Sequence, residues 1–397
     1  MTRRSSPSRI AHPIHCLPLG GAFARGAGFA TFPRFGVVAQ FAALVAFALV
    51  AFVAAPQAHA QAKRPAATVA SGGAASAASA SAAASESIAS PAYRGRPDVD
   101  AFVVEMVARH GFIAAELDAM FAQVRRDDSV LRRIAPPPSD FRRSWRAYRA
   151  RFLDPVRIRE GLRFWAENES WLALAEARYG VPPEIIVAIL GVETVYGRIT
   201  GDVRVVDALT TLAFDYPRRA DYFRSELEQF LLYVRDEQLD AFSLHGSYAG
   251  AIGLPQFMPG SIRRYAVDLD GDGHIDLRRN PADAIGSVGN FLAAHGWRSG
   301  EPIVFRARYD SESRLAPLVD AGIRPQFTIG ELADYGVGSV EPVSQEIPLA
   351  LIDLPNGDDS TSYFLGAPNF YVITRYNRSS FYAMAVHDLA RALVGAR

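Results

Sequence analysis

Apolar residues recur at spacings of three and four along the middle of the chain, as they do in helices packed against a core. Prolines at 136–138 and 182–183 interrupt the pattern and separate some of these helices. The spacing predicts helices over 98–110, 113–123, 155–178, 183–196, 204–213 and 218–236.

The pattern changes after residue 300, where short segments rich in β-branched and aromatic residues predict strands. These segments are 302–308, 346–354, 361–366 and 370–376. A closing helix is expected over 379–393. The predicted fold class is therefore α+β and mainly α: a helical body with a small β subdomain inserted at about 300–368.

The first 92 residues have a different character. An uncharged apolar run at 37–55 follows several arginines and precedes small residues at 58–60, which predicts an export signal over 1–60 for the general secretory route. The run is long enough that an uncleaved inner-membrane anchor is the alternative. Residues 61–92 are rich in Ala and Ser and predict a flexible tether, so the folded domain is expected over 93–397.

The formal net charge of zero hides an asymmetry. Residues 1–60 hold five arginines and no acid, so the 42 basic and 42 acidic residues of the whole chain leave the remainder with five more acids than bases. A mildly acidic domain gives no electrostatic footprint for nucleic acid, so no nucleic-acid partner is expected. Cys16 is the only cysteine and lies in the predicted leader, so no thiol or disulfide chemistry is expected in the domain.

The segment 187–201 places one acid, Glu193, in a run of Val, Ala, Ile, Leu and Gly. On a helix that begins at the two prolines, its carboxyl group shares a face with Ile186, Ile189 and Leu190. Apolar surroundings destabilise the charged form of an acid, so we expect a raised pKa and a general acid that holds its proton near neutral pH. The alternative is an ion pair with a nearby arginine such as Arg198.

Two other segments carry polar groups suited to a ligand. Four glycines and two prolines surround Ser247 and Gln256 in 245–262, so the backbone can approach a sugar or amide closely; a plain glycine-rich turn is the alternative. In 369–386 an aromatic strand is predicted to lead into a helix, with Tyr376 and Asn377 at the junction. Core packing is the alternative role for those aromatic residues.

The segment 268–283 has the first half of an EF-hand loop, with alternating aspartates and Gly273 at the sharp turn. Three acids this close repel one another without a cation. At the twelfth position Arg279 replaces the usual Glu, so a ligand from farther along the chain must complete the coordination shell of the cation. An Asx-rich turn without a cation is the alternative. The predicted Ca²⁺ ligands are the carboxylates of Asp268, Asp270 and Asp272, the backbone carbonyl of His274, and the carboxylate of Asp283.

Five motifs, in this order, together resemble the lytic murein transglycosylase B family from about residue 97 to the C-terminus. They are GVETVYGRITG at 191–201, YPRRADYF at 216–223, SYAGAIGLPQFMPGS at 247–261, the aspartate loop, and VITRYNRSSFYAMAV at 372–386. The resemblance implies a lysozyme-like helical core with an EF-hand-like calcium site and a small β subdomain. It also implies cleavage of the MurNAc–GlcNAc β-1,4 bond of peptidoglycan without water, leaving 1,6-anhydro-MurNAc ends, in the periplasm of a Gram-negative bacterium.

Residue roles follow from the same resemblance. Glu193 resembles the family's single acid/base, and Ser247 with Gln256 resembles residues that line the cleft. Phe291 departs from the pattern, since relatives often have tyrosine there. The expected partners are glycan strands and cell-wall synthesis proteins, and Ca²⁺ is expected to be structural, with no organic cofactor. The residues that resemble saccharide or peptide contacts are Tyr148, Arg218, Arg219, Tyr376 and Asn377.

Two other functions stay open from the sequence. One is a hydrolytic muramidase, which needs a second carboxylate, for which Asp202 and Asp215 are the candidates. The other is a peptidoglycan-binding envelope protein without catalysis. The motifs of zinc peptidases, serine hydrolases and P-loop proteins do not occur in the sequence.

Overall fold

The structure, a computed structural model, describes residues 93–138 and 141–397. The predicted export signal over 1–60 and tether over 61–92 lie outside the described residues. Within them, no helix has both the length and the apolar character needed to cross a membrane. The α-helices are α1 Pro97–His110, α2 Ala114–Phe121, α3 Asp128–Ile134, α4 Trp145–Ala150, α5 Pro155–Glu167, α6 Glu169–Tyr179, α7 Pro183–Thr194, α8 Val205–Asp215, α9 Ala220–Asp236, α10 Pro259–Tyr265, α11 Pro281–Ala294, α12 Ala316–Asp320, α13 Ile329–Ala333, α14 Pro368–Tyr376 and α15 Ser380–Ala396.

Helix α7 lies at the centre of the helical body. It begins with Pro183 in its first turn, where the missing N–H of proline is not needed. Its residues from Ile185 to Val192 are all buried, and α5, α6, α11 and α15 pack around it. A helix that is apolar on every side is stable only when it is surrounded in this way.

Six short strands form two antiparallel sheets in the described part of the chain. The larger sheet has the order β4-β3-β6-β5, and Gly357, with φ of +70°, lies in the turn between its last two strands. The smaller sheet joins β1 to β2, beside the glycine-rich segment. The strands are β1 Val203–Arg204, β2 His245–Gly246, β3 Val304–Tyr309, β4 Val337–Ser339, β5 Ala350–Asn356 and β6 Asp359–Gly366.

The mainly helical fold class with a small sheet is confirmed, but two predicted elements are wrong. The helix predicted over 155–178 is two helices, because Asn168 leaves helical geometry with φ of −121° and ψ of 22°. Its side-chain Nδ2 donates to the Phe164 carbonyl at 2.8 Å. Asparagine breaks helices in this way because its amide competes for backbone partners.

The strand predicted over 370–376 is helix α14. Its β-branched and aromatic residues favour strands locally, but Pro368 begins a helix and the side chains of Phe370, Ile373 and Thr374 are buried. Helix α14 packs against α11 and α15. Burial among helices therefore outweighs the modest intrinsic preference of these residues for strands.

Candidate active site

Glu193 lies one residue before the end of α7, where the buried helix reaches a cavity. Burial raises the pKa of the Glu193 carboxyl from its ordinary value of 4.5 to about 8. Tyr382 Oη donates a 2.7 Å hydrogen bond to Glu193 Oε1, and this bond opposes part of the rise because it stabilises the carboxylate. The carboxyl group is therefore protonated at neutral pH, as a general acid must be.

The ion pair between Glu193 and Arg198 is not formed. The Arg198 guanidinium lies 3.8 Å from Glu160 instead. Over residues 93–138 and 141–397, no cation pairs with Glu193. The raised pKa of Glu193 is therefore not offset by a neighbouring positive charge.

Three tyrosines enclose the acid. The rings of Tyr376 and Tyr382 lie 6.2 Å apart and nearly parallel, at 12°, and Tyr376 Oη donates to the Pro255 carbonyl at 2.6 Å. Tyr148 packs edge-on against Phe381. Burial, and then the charge of Glu193, raises the pKa of all three tyrosines, so their hydroxyls remain protonated donors.

The chain turns sharply just after Glu193. Val195 and Tyr196 both have left-handed backbone geometry, with φ of 52° and 61°. This region is unfavourable for residues other than glycine, above all for a β-branched one, and each such residue costs roughly 1–3 kcal/mol. Thr194 ties the turn down, since its Oγ1 donates to Leu254 O at 2.9 Å and accepts from Gly197 N at 2.9 Å.

The glycine-rich segment supplies the opposite wall. Ser247 Oγ accepts from the backbone N–H groups of Ala249 and Ala251, which leaves the hydroxyl proton without an acceptor in the described part of the chain. Gln256, with φ of 51°, donates from Nε2 to the carbonyls of Thr200 and Gly253. The Gln256 side chain therefore offers its amide oxygen, rather than its NH₂ group, to a ligand.

Two cavities meet at this wall. The Glu193 cleft, with the solvent at its mouth, occupies about 900 Å³, and the Arg219 cleft about 1320 Å³. Gln256 and Asn377 line both cavities, so the two clefts are adjacent. The Glu193 cleft is also lined by Arg133, Tyr148, Glu193, Asp202, Ser247 and Tyr382; the Arg219 cleft by Arg219, Glu226, Phe257, Phe291, Arg375 and Tyr376.

A family model described as the transglycosylase SLT domain matches residues 94–391. The chain belongs to this family. It is 45% identical over 313 residues to membrane-bound lytic murein transglycosylase B of Escherichia coli, covering 77% of this chain and 85% of the relative. The crystal structure of soluble lytic transglycosylase SltB1 from Pseudomonas aeruginosa is 48% identical with a TM-score of 0.70, covering 76% of this chain and 99% of that one.

Two further solved structures hold ligands. Escherichia coli Slt35, in complex with calcium, is 44% identical with a TM-score of 0.70 and covers 78% of this chain and 96% of its own. Pseudomonas aeruginosa SltB3, in complex with NAG-anhNAM-pentapeptide, is 34% identical with a TM-score of 0.65 and covers 75% and 78%. Relatives of this chain therefore bind calcium and an anhydromuropeptide.

The structure places most of the predicted contact residues in these two adjacent clefts. Tyr148, Ser247, Gln256 and Asn377 line the Glu193 cleft, and Arg219 and Tyr376 line the Arg219 cleft. Arg218 is exposed and lines neither. The Arg219 guanidinium lies 4.3 Å from the centre of the Tyr222 ring. The roles of these residues in binding stay predictions.

The two candidates for a second carboxylate lie in different places. Asp202 is exposed and lines the Glu193 cleft. Asp215 accepts from Tyr93 Oη at 2.7 Å and pairs with Arg96 and Arg126, outside both clefts. Of the two, only Asp202 is placed to act with Glu193.

Sequence reasoning missed Tyr382, the hydrogen-bond partner of Glu193, and Arg157, a buried arginine that lines the same cleft. Arg157 Nε donates to Gly191 O at 2.9 Å, near the end of α7. Tyr382 is 189 positions from Glu193 along the chain, so no local spacing connects them. The available signals were the position of Tyr382 in the predicted closing helix and in the motif at 372–386, and neither indicates what the side chain faces.

The aspartate loop gathers three carboxyl groups. Oxygens of Asp268, Asp270 and Asp283 all lie within 4.8 Å of one another, which suits one cation with ligands at 2.3–2.6 Å. Asp283 is fully buried and accepts from the backbone N–H groups of Leu269 and Asp276. Asp272 lies outside this cluster, and its Oδ1 accepts from His274 N at 2.8 Å.

Two hydrogen bonds connect the aspartate loop to the residue next to Glu193. Leu254 N donates at 2.8 Å to the carbonyl of Leu277, which lies in the loop between Asp272 and Asp283. The carbonyl of the same Leu254 accepts from Thr194 Oγ1, next to Glu193. A cation that orders the loop therefore supports one wall of the Glu193 cleft.

Proposed function

We propose that this protein cleaves the β-1,4 bond between MurNAc and GlcNAc in peptidoglycan without water, with Glu193 as the single acid and base. The observation that carries the proposal is the geometry of Glu193: a carboxyl group at the end of a buried helix, with a pKa of about 8, facing a cleft. The complex of the relative SltB3 with NAG-anhNAM-pentapeptide supports the same product class.

In the first step, protonated Glu193 gives its proton to the glycosidic oxygen and the bond from MurNAc C1 to that oxygen breaks. The carbonyl oxygen of the MurNAc N-acetyl group bonds to C1 as the leaving sugar departs, so the substrate supplies the nucleophile that a second carboxylate supplies in most glycosidases. The GlcNAc side leaves as a neutral alcohol. Glu193 becomes an anion that Tyr382 Oη stabilises by its hydrogen bond.

In the second step, the Glu193 carboxylate removes the proton from the MurNAc C6 hydroxyl. The O6 atom bonds to C1, the bond from the acetyl oxygen to C1 breaks, and a 1,6-anhydro ring forms. Glu193 ends the cycle protonated, so no water is consumed and one residue serves both steps. We infer that Ser247 and Gln256 hold the N-acetyl group, because the Ser247 hydroxyl offers a donor and the Gln256 amide oxygen an acceptor in the same cleft.

A hydrolytic muramidase is the second candidate, and the presence of Asp202 in the Glu193 cleft favours it. In that reaction Asp202 activates water or attacks C1, and the product has a reducing end. The two functions differ in the mass of the product by one water molecule.

The deciding experiment is mass spectrometry of muropeptides released from purified peptidoglycan by the protein without residues 1–60. The proposal expects anhydro products from the wild type and from Asp202→Asn, and none from Glu193→Gln. Reducing-end products that disappear in Asp202→Asn establish the muramidase instead. If Glu193→Gln keeps its activity, or the wild type releases nothing, the chemistry proposed for Glu193 is wrong.

We further propose that Ca²⁺ binds the aspartate loop and is structural. The carboxylates of Asp268, Asp270 and Asp283 are hard oxygen ligands in one cluster, and calcium in the Slt35 complex supports the assignment. The other two ligands of the proposed shell are Asp272, whose carboxylate lies outside the cluster in this structure, and the His274 carbonyl. No acid of the loop lines the Glu193 cleft, so the cation supports the site without touching the substrate.

We also propose export to the periplasm of a Gram-negative bacterium, where peptidoglycan glycan strands are the substrate and cell-wall synthesis proteins are candidate partners. The E. coli relative is membrane-bound by name, which fits a leader that is either cleaved or kept as an anchor at 37–55. Cell fractionation followed by sequencing of the mature N-terminus separates the two: a chain starting near residue 61 in the soluble periplasm indicates cleavage.

A further inference from the structure

The ring of Tyr196 fills a slot between two helices. The walls of this slot, which we call the glycine slot, are Gly161 of α5 and Gly191 of α7. A Cβ atom at Gly161 would lie 2.3 Å from Tyr196 Oη, and one at Gly191 would lie 2.5 Å from it. The Phe164 ring stacks on the Tyr196 ring at 5.5 Å and 26°. Both positions must therefore lack a side chain for the ring to enter.

The Tyr196 hydroxyl is not what holds the ring there. Its oxygen is buried and has no hydrogen-bond partner among the residues that the structure describes. The contacts of the ring itself, with the two glycines and Phe164, make up the interaction. The slot therefore holds the hydroxyl end of the ring by its shape and not by hydrogen bonding.

The backbone at the same residue is strained. Val195 and Tyr196 are both left-handed, and a helix that ends in this geometry usually places glycine at the first of the two positions. Here that position is valine, so the residues of the turn do not favour its shape by themselves. Such geometry persists only where surrounding contacts hold it.

We propose that Tyr196 is a positioning residue for Glu193: by filling the glycine slot it fixes the left-handed turn that ends α7, and so holds the Glu193 carboxyl against Tyr382. The inference rests on the proposed function of Glu193. Tyr196 follows Glu193 by three positions, and its backbone N–H donates at 3.2 Å to Leu190 O, inside the helix that carries the acid. If the ring is not held in the slot, the last turn of α7 becomes mobile and the Glu193 carboxyl becomes mobile with it.

The test compares Tyr196→Ala with Tyr196→Phe in the muropeptide assay, over a range of pH. Because misplacement by about 1 Å can cost on the order of 100-fold, we expect Tyr196→Ala to lower kcat by roughly 10- to 100-fold. The alkaline limb of its pH profile should move to lower pH, since water reaches a mobile Glu193 carboxyl and stabilises its charge. Tyr196→Phe, which keeps the ring, should retain both kcat and the limb.

The chain offers a matched control. Tyr179 also has a buried hydroxyl without a partner in the described part of the chain, and it also packs on a helix glycine, Gly289, whose Cβ would lie 2.8 Å from its ring. It lines neither the Glu193 cleft nor the Arg219 cleft. Tyr179→Ala should lower the melting temperature and leave the alkaline limb in place.

Gly191→Ala gives a second route if Tyr196→Ala does not fold. The three atoms nearest to the added methyl group all belong to the Tyr196 side chain, so the variant should displace the ring and reproduce the loss in kcat and the shifted limb. In the double variant the methyl group enters vacated space, so kcat should fall no further than in either single variant. Losses that multiply would mean that the two residues act independently, and would overturn the inference.

The inference fails if Tyr196→Ala or Gly191→Ala loses stability as Tyr179→Ala does but keeps the wild-type kcat and alkaline limb. Failure of the proposed function looks different. In that case Glu193→Gln remains active, or the wild type releases no anhydro product, whatever the Tyr196 variants do.

Discussion

Tyr382→Phe removes one hydroxyl from beside the acid and leaves the ring. In the wild type, Tyr382 Oη donates to Glu193 Oε1 at 2.7 Å, and among the described residues this is the one side-chain hydrogen bond that lowers the pKa of Glu193 against the effect of burial. Removing it favours the protonated acid. The variant should therefore hold the proton of Glu193 to a higher pH than the wild type, and stabilise the carboxylate less once the proton has left.

The size of both effects follows from the bond. A hydrogen bond to a charged group contributes about 1.5–3 kcal/mol, and a pKa unit corresponds to about 1.4 kcal/mol. Since Glu193 faces the open cleft, where water replaces part of the lost bond, we expect the lower end: a rise of about one pKa unit. The same energy is lost in each transition state that carries negative charge on Glu193, which lowers kcat at pH 7 by about tenfold.

The assay is the pH dependence of kcat/KM on a soluble peptidoglycan fragment, with a limb near pH 8 expected in the wild type because the free enzyme must hold the proton. Tyr376→Phe is the control for the limb: it loses a similar hydroxyl in the stacked neighbouring ring, but one that donates to Pro255 O at 2.6 Å. A limb that stays in place in Tyr382→Phe, or moves to lower pH, refutes the role given to this bond.

Three further outcomes are expected. As pH rises from 5 to 8, Glu193→Gln should become more stable than the wild type by roughly 2–5 kcal/mol, because the acid ionises near pH 4.5 in the unfolded chain but keeps its proton to about pH 8 in the folded one. Differential scanning calorimetry across this range measures the difference in stability. A difference that stays constant with pH contradicts the prediction. A calcium chelator should lower the melting temperature by several degrees and have no effect on Asp283→Asn; unchanged stability with lost activity would make the cation catalytic. Thr194→Val should cost about 1–3 kcal/mol in urea unfolding, since it leaves the buried Leu254 carbonyl without its donor; a neutral result would show that water replaces the bond.

The sequence could predict α7 and its acid because both signals are local. Two prolines mark the start of the helix, and the apolar run that precedes Glu193 is long enough for burial on every side. The aspartate loop is local in the same sense, as its carboxylates are close along the chain. For these features, the spacing of residues along the sequence determines their arrangement in space.

The rest depends on contacts between distant segments. Tyr382 reaches Glu193 across 189 positions, and the helix at 368–376 contains residues that by themselves favour a strand. Valine and tyrosine at positions 195 and 196 do not indicate left-handed geometry, because glycine is the residue type that usually adopts it. Such geometry is imposed by packing, which a local pattern does not record.

The placement of the acid has a cost that the fold must offset. Keeping a carboxyl group neutral at pH 7 destabilises the folded state, since the unfolded chain would ionise it. The strained turn at Val195 and Tyr196 adds to that cost. Both occur at a helix that is surrounded by others, with α5, α6, α11 and α15 around α7 and the Leu254 carbonyl bonded to Thr194. The burial that raises the pKa of Glu193 thus also supplies the packing that stabilises α7. Substitutions that loosen α7 should therefore lower both the free energy of unfolding and the pKa of Glu193.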